Sequence, residues 1–143
     1  MLVADLPSIL LVEDDFAWRT LVSYRLSEGF QVYACEDGEE ALDVLAGARV
    51  GVILVDVVMP NMDGTALARA LLRHPALKFD PPPPVLVLTG LAPEDRQVEA
   101  LRRMPLVTAV FHKPIDMEVL HAAVQRAAAH DWAAVQGLAA RCA

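Results

Sequence analysis

The side chains with the clearest chemical potential each follow a short apolar run of the sequence. An acidic triplet, residues 13–15, follows the first run, and Asp56, Thr89 and Lys113 each follow a later one. Carboxylates that lie close together repel unless one is protonated or a cation lies among them, and a few carboxylates with open water positions favour Mg²⁺. A lysine and a hydroxyl beside them would hold an anion. The residue types therefore predict transfer of a phosphoryl group to a carboxylate nucleophile.

The apolar runs themselves predict β-strands that are covered on both faces. They span residues 9–12, 50–55, 85–88 and 106–111, and residues 31–35 supply one more strand. Helical spacing fills the stretches 16–26, 39–45, 65–72, 94–101 and 116 to about 129. This alternation predicts an α/β fold: a doubly wound, five-stranded parallel sheet in the flavodoxin-like order 2-1-3-4-5, with helices on both faces. In that order the acidic residues after strands one and three become neighbours.

Turn and capping residues mark the expected element boundaries. Asp37-Gly38 forms a turn before the second helix, Asp63 caps the third, and Pro93 occupies the first turn of the fourth. The run Pro81–Pro84 predicts a stiff connector ahead of the fourth strand. Trp18 and Trp132 are interpreted as packing groups, and the four histidines as surface or boundary residues.

Length and composition restrict the class of protein. The chain has 143 residues, 55% of them hydrophobic and 22% charged, which fits one folded domain. A formal net charge of −7 argues against nucleic acid or an anionic membrane surface as a partner. Cys35 and Cys142 form no metal-ligand spacing, and neither a signal peptide nor a membrane-spanning run is predicted. We therefore expect a cytoplasmic location.

Four motifs occur in order at the predicted strand ends. They are Ile9-Leu-Leu-Val-Glu-Asp-Asp15, Ile53-Leu-Val-Asp-Val-Val-Met-Pro-Asn-Met-Asp-Gly64, Leu86-Val-Leu-Thr-Gly90 and Phe111-His-Lys-Pro114. Together they resemble the receiver domain of bacterial two-component response regulators, over roughly residues 7–130. The resemblance implies that Asp56 accepts a phosphoryl group from the phosphohistidine of a sensor histidine kinase.

The resemblance also assigns the ligands of the metal. It implies that Asp14 and Asp56 bind Mg²⁺ with the backbone carbonyl of Val58, and that Glu13 acts through water or as a further ligand. The triplet leaves two registers for the family's acidic pair, residues 13–14 or residues 14–15. We favour the first, because the second would place Glu13 inside the buried sheet.

A conformational switch is implied as well. Thr89 would donate to a phosphoryl oxygen, Lys113 would pair with the phosphoryl group, and the Lys113–Pro114 bond could be cis. Receivers usually carry Tyr or Phe three residues before the lysine, and its ring swings inward as the threonine moves. That position is Val110 here, and Phe111 points to the opposite face of the strand. We therefore expect a weakened or altered change between the fourth helix and the fifth strand.

Two further positions gate the attacking water in this family. They are the second residue after the phosphorylated aspartate and the second after the threonine. Here they are Val58 and Leu91, and neither side chain can orient a water by hydrogen bonding. We expect phosphorylated Asp56 to hydrolyse slowly for this family.

The carboxyl-terminal segment leaves several interpretations open. We divide the chain into a receiver domain over residues 1–130 and a helical extension or tail over residues 131–143. Apolar residues recur at three- and four-residue steps, at Leu120, Val124, Ala127, Val135 and Leu138. The segment could prolong the fifth helix, form a short extra helix before Gly137, fold back on its own sheet, fray, or pair with a second copy in a homodimer.

The predicted function is that of a stand-alone receiver that signals through protein contacts made by its own surface. It is a signalling domain rather than an enzyme, and it catalyses only its own phosphorylation and dephosphorylation. Two alternatives are a relay to a histidine phosphotransfer protein and a receiver cut from a hybrid histidine kinase. An aspartate-nucleophile phosphatase is disfavoured because Val58 stands where its general acid would be. A nucleotide or flavin fold is disfavoured because no glycine-rich loop follows Val12.

Overall fold

The strands lie close to the predicted positions. The computed structural model describes residues 6–57, 64–73 and 83–141. Within these ranges the chain forms the strands β1 (Ser8–Val12), β2 (Gln31–Cys35), β3 (Val52–Val55), β4 (Val85–Thr89) and β5 (Val107–His112). They make one parallel sheet in the order β2-β1-β3-β4-β5. The predicted α/β fold and its strand order are therefore confirmed.

Helices connect the strands and follow the last one. They are α1 (Phe16–Leu26), α2 (Gly38–Gly47), α3 (Gly64–Arg73), α4 (Arg96–Arg102), α5 (Met117–Ala128) and α6 (Trp132–Arg141). The predicted turn at Asp37-Gly38 leads directly into α2: Gly38 is the first residue of the helix, and Asp37 caps it by accepting a hydrogen bond from the backbone N–H of Glu40. The prediction for Pro93 is wrong, because α4 begins at Arg96 and Asp95 caps it through the N–H of Gln97. The predicted cap at Asp63 lies outside the described residues.

Alternate residues of the strands enter two separate apolar cores, one on each face of the sheet. Leu10, Ile53 and Val87 belong to the core that also contains buried residues of α2, α3 and α4. Leu11, Leu54 and their like-facing neighbours belong to the core beneath α1, α5 and α6. Because both faces are covered, the strands are apolar throughout rather than alternating. No helix of the described residues combines the length and apolar content that a membrane crossing requires.

The carboxyl-terminal segment forms a separate helix that folds back on the sheet. Helix α5 ends at Ala128, and His130 follows in the left-handed region with φ of 59°. The segment therefore does not prolong the fifth helix, and α6 continues through Gly137 rather than stopping before it. Val135 is fully buried within this chain, in the core it shares with α5. That part of the apolar stripe is thus covered without a second copy.

Candidate functional site

The carboxyl ends of four strands place the predicted site residues along one edge of the sheet. Thr89 is the last residue of β4, while Glu13, Asp56 and Lys113 come directly after β1, β3 and β5. Sheet hydrogen bonding continues one residue beyond the strands: the N–H of Asp56 donates to the carbonyl of Val12 at 3.0 Å, and that of Lys113 to the carbonyl of Thr89 at 2.7 Å. The sheet itself therefore positions the backbone of the site.

Three carboxylates meet at this edge. Glu13, Asp14 and Asp56 each offer an oxygen, and these oxygens lie within 4.8 Å of one another. Glu13 is only 2% exposed, Asp56 is half-buried and Asp14 is exposed. Asp15 points elsewhere, because its Oδ1 accepts the backbone N–H of Trp18 at 2.7 Å and caps α1. The acidic pair at the cluster is thus residues 13–14, the register that the sequence favoured.

One argument for that register was nevertheless wrong. The other register was rejected because it would bury the side chain of Glu13, yet Glu13 is buried directly after the end of β1. Lys113 makes this tolerable, because its Nζ donates to Glu13 Oε2 at 2.8 Å and lies 3.4 Å from Asp56 Oδ2. A buried carboxylate is retained where a cation and a hydrogen bond compensate for the lost water. The Lys113–Pro114 bond that follows is cis, as the sequence allowed.

The electrostatics leave the cluster short of positive charge. Burial raises the pKa of Glu13 to about 7, and the nearby charge of Asp56 adds to this, although the hydrogen bond from Lys113 opposes it. Burial alone would lower the pKa of Lys113, but its hydrogen bond to Glu13 and the charges of Asp56 and Glu13 outweigh burial and raise it. Lys113 therefore stays protonated, whereas the raised pKa of Glu13 lets this carboxylate bind a proton near neutral pH.

The donor set suits a hard divalent cation. All three groups are carboxylate oxygens, and the exposed position of Asp14 leaves room for water ligands. A cation would also supply the positive charge for which Glu13 otherwise recruits a proton. Glu13, Asp14 and Asp56 could accordingly hold Mg²⁺. The carbonyl of Val58, the fourth predicted ligand, lies outside the described residues.

Thr89 and Val110, the predicted switch residues, are both buried. Thr89 is 1% exposed, and its Oγ1 accepts the backbone N–H of Leu91 at 3.0 Å. Val110 lies in the core on the α4 side of the sheet, whereas Phe111 is fully buried in the core on the α5 side. The two side chains thus point to opposite faces, as predicted, and Phe111 does not take the place of the missing aromatic ring.

Two residues in the first turn of α1 contribute contacts that the sequence did not reveal. Arg19 donates from Nη1 to the backbone carbonyls of Glu13 at 2.8 Å and Asp14 at 3.3 Å, so it ties α1 to the acidic loop. Trp18 lies with its ring 5.4 Å from Lys113 Nζ. Their only signal in the sequence is their position three and four residues after Asp15, at the start of a helix.

His112 is the third unforeseen contact. Its Nδ1 lies 3.1 Å from the carbonyl of Leu91, which can only accept, so Nδ1 donates. Its Nε2 lies 3.0 Å from Arg102 Nη2 on α4. The side chain therefore connects the segment after Thr89 to α4, on the face where Val110 replaces an aromatic residue. The sequence predicted only a boundary position.

Known proteins resemble this chain in sequence and in fold. A family model described as the response regulator receiver domain matches residues 9–125. The cell cycle response regulator CtrA of Brucella ovis is 34% identical over 125 residues, which are 85% of this chain and 52% of that protein. The chain spans about half or less of the length of the first curated relatives.

Solved structures agree. The chemotaxis response regulator CheY4 of Vibrio cholerae has a TM-score of 0.74 and 32% identity, covering 85% of this chain and 98% of that one. The signal receiver domain of a signal transduction histidine kinase from Syntrophus aciditrophicus has a TM-score of 0.75 and 33% identity, covering 87% and 91% of the two chains.

Proposed function

Because this chain belongs to the response regulator receiver family, we propose that it takes a phosphoryl group on Asp56 and signals by the resulting change in its surface. The observation that carries the proposal is the convergence on Asp56 of a carboxylate cluster and a lysine, with Lys113 Nζ 3.4 Å from Asp56 Oδ2. A nucleophilic carboxylate, a cation site and a fixed ammonium are what an incoming phosphoryl group requires.

In the proposed reaction an oxygen of Asp56 attacks phosphorus, the bond from phosphorus to the histidine nitrogen of the donor breaks, and an acyl phosphate forms. Glu13, Asp14 and Asp56 would hold Mg²⁺, which neutralises phosphoryl charge when bound. Lys113 exchanges its carboxylate partner for a phosphoryl oxygen, and the hydroxyl of Thr89 donates to another. Both side chains can reach the phosphoryl group without rearrangement of a helix or strand, because both residues already lie at the same edge of the sheet.

The donor we propose is a sensor histidine kinase in the cytoplasm. The domain catalyses only its own phosphorylation and dephosphorylation, since the nucleophile is part of its own chain. Val58 and Leu91, both apolar, support a slow loss of the phosphoryl group.

A second candidate function is a relay to a histidine phosphotransfer protein, or a receiver that is part of a hybrid histidine kinase. A receiver of a signal transduction histidine kinase from Syntrophus aciditrophicus is 33% identical to this chain, which is consistent with the second of these contexts. Slow hydrolysis of the phosphoryl group would suit either use, because a relay must keep the group until it is passed on.

The test is incubation with acetyl phosphate and Mg²⁺, followed by intact-mass and peptide mass spectrometry. We expect the wild type to gain one phosphoryl group on the peptide that contains Asp56, and D56N to gain none. D43N, at an exposed position of α2, is the matched control and should behave as the wild type. Absence of an adduct in the wild type, or an adduct that persists in D56N, would contradict the proposal.

A further inference from the structure

We propose that Trp18 is a positioning residue for Lys113: its indole ring holds the lysine ammonium beside Glu13 and Asp56 and so speeds phosphorylation. This inference rests on the function proposed above. It concerns a residue of α1 that acts through the lysine.

The first observation is the contact itself. Lys113 Nζ lies 5.4 Å from the centre of the Trp18 ring, within the range in which an aromatic face attracts a cation. Tryptophan is the best of the aromatic residues for this, and the attraction grows as water is removed. The Lys113 side chain is 23% exposed and Trp18 is half-buried, so the pair is largely shielded.

A series of contacts that begins and ends at Glu13 holds the Trp18 ring in this place. Glu13 Oε1 accepts the N–H of Asp15 at 3.2 Å, and Asp15 Oδ1 accepts the N–H of Trp18 at 2.7 Å. The ring of Trp18 then meets Lys113, which returns to Glu13 Oε2 at 2.8 Å. Asp15 is absent from the carboxylate cluster because it starts the helix turn that presents Trp18. The third acid of the triplet thereby acquires a role.

An open cavity lies beside the ring and the lysine. A space of about 390 Å³ is lined by Asp15, Ala17, Trp18, Leu21 and Lys113, so the lysine has free volume on the α1 side. A lysine side chain has many rotamers, and holding it in one costs conformational entropy. The ring favours the rotamers that keep the ammonium over its face, and in these rotamers the ammonium lies 3.4 Å from Asp56 Oδ2. Because attraction to a ring face is not directional like a hydrogen bond, it can persist when Lys113 changes from Glu13 to a phosphoryl oxygen.

The geometry can be tested first by NMR of the lysine side chains in the full chain. The chain has only two lysines, Lys78 and Lys113, so K78R assigns the remaining CεH₂ signal to Lys113. We expect this signal to be shifted upfield by the Trp18 ring, and to return to the position of an ordinary lysine in W18L. An unshifted Lys113 signal in the wild type would overturn the contact, whether or not the protein accepts phosphate.

The kinetic test is a double-mutant cycle on phosphorylation by acetyl phosphate with Mg²⁺. We expect W18L to slow the reaction about five-fold, a loss typical of a partly shielded cation–π contact. W18F, which keeps a ring, should recover part of the rate, and W132F on α6 should match the wild type. In a K113M background W18L should have no further effect, since the ring would have no cation to hold.

Two results would overturn the inference: an undiminished rate in W18L, or the same slowing by W18L with and without Lys113, which would assign Trp18 a packing role alone. If W18L does not fold, W18F in both backgrounds and the NMR shift of the wild type decide the question. A wild type that gains no phosphoryl group would instead contradict the proposed function, and the NMR result would still judge the contact.

Discussion

At the scale of single residues, Glu13 carries the least compensated charge of the site. Burial raises its pKa from 4.5 to about 7, so between these values the folded chain binds a proton that the unfolded chain releases. The stabilisation that this proton provides is complete below about pH 4.5 and is lost as the pH rises through about 7.

The first prediction follows from that sign. Without Mg²⁺, the free energy of unfolding of the wild type should fall relative to that of E13Q between pH 4.5 and pH 7, because glutamine does not titrate. Urea unfolding at pH 5 and pH 8 measures the difference. E39Q, at an exposed position of α2, is the control and should run parallel to the wild type. If the stability of E13Q also changes with pH in parallel with that of the wild type, burial does not raise the pKa of Glu13.

A second residue-scale prediction concerns the lifetime of phosphorylated Asp56. Val58 and Leu91 cannot hydrogen-bond to an attacking water, so V58N should shorten the lifetime by supplying an amide at this position. The decay of the acyl phosphate after removal of the donor, followed by mass spectrometry, measures it. Fast decay in the wild type that V58N leaves unchanged would refute this explanation.

At the scale of elements, polar contacts connect Thr89 to α4 on the face formed by α4 and β5. Val110 fills the core where a mobile aromatic ring is usual in the family, and His112 links the carbonyl of Leu91 to Arg102 on α4. The N–H of Leu91 in turn donates to Thr89 Oγ1. A movement of Thr89 could therefore reach α4 through polar contacts, without a ring that changes its burial.

The third prediction compares the wild type with V110Y. Tyrosine restores the aromatic switch residue, although its extra volume in a filled core should cost about 1–3 kcal/mol of stability. Hydrogen exchange of the peptides that cover α4 and β5 should change more in V110Y than in the wild type when beryllofluoride and Mg²⁺ are added. An equal change in both proteins would show that Val110 does not weaken the switch.

At the scale of the whole molecule, α6 completes one of the two cores. Val135 of this helix is fully buried, and Leu138 and Ala139 of the same helix pack against that core. The predicted division into residues 1–130 and residues 131–143 treats this helix as an extension, and the family model ends at residue 125. The packing of α6 indicates that the extension contributes to the stability of the receiver.

The fourth prediction measures that contribution. V135A removes two buried methyl groups and should cost about 2 kcal/mol, from lost burial and the cavity left behind. V119A, at a half-buried position of α5, makes the same chemical change and should cost less. Chemical unfolding compares the two. If V135A leaves stability unchanged, α6 is a dispensable tail.

Sedimentation of the wild type tests the predicted homodimer, which cannot use Val135 as its contact.

Much of this architecture could be predicted because it is encoded within single elements. Apolar runs such as residues 50–55 specify strands covered on both faces, and the turn and helix signals between them specify parallel order. Once the order is 2-1-3-4-5, Asp56 must come next to the acidic residues after the first strand. The motif residues then identify the family before any distance is known.

The boundaries and caps were less predictable where several local signals compete. Pro93 and Asp95 both suit the start of a helix, and only the structure shows that Asp95 caps α4. His130, with φ of 59°, ends the run of alanines that would otherwise continue α5. Alanine favours a helix wherever it stands, so composition alone could not place the break.

The sequence by itself determined the sheet, the edge on which the site lies and the residue types that meet there. Tertiary structure alone decided how those residues pair. Lys113 reaches Glu13 across 100 residues of sequence, Asp15 leaves the acidic cluster to cap α1, and Trp18 covers the lysine. The physical reason is that strand and helix periodicity is a local property of the chain. The partner of a buried charge depends instead on rotamers and helix placement, which exist only after the elements have packed.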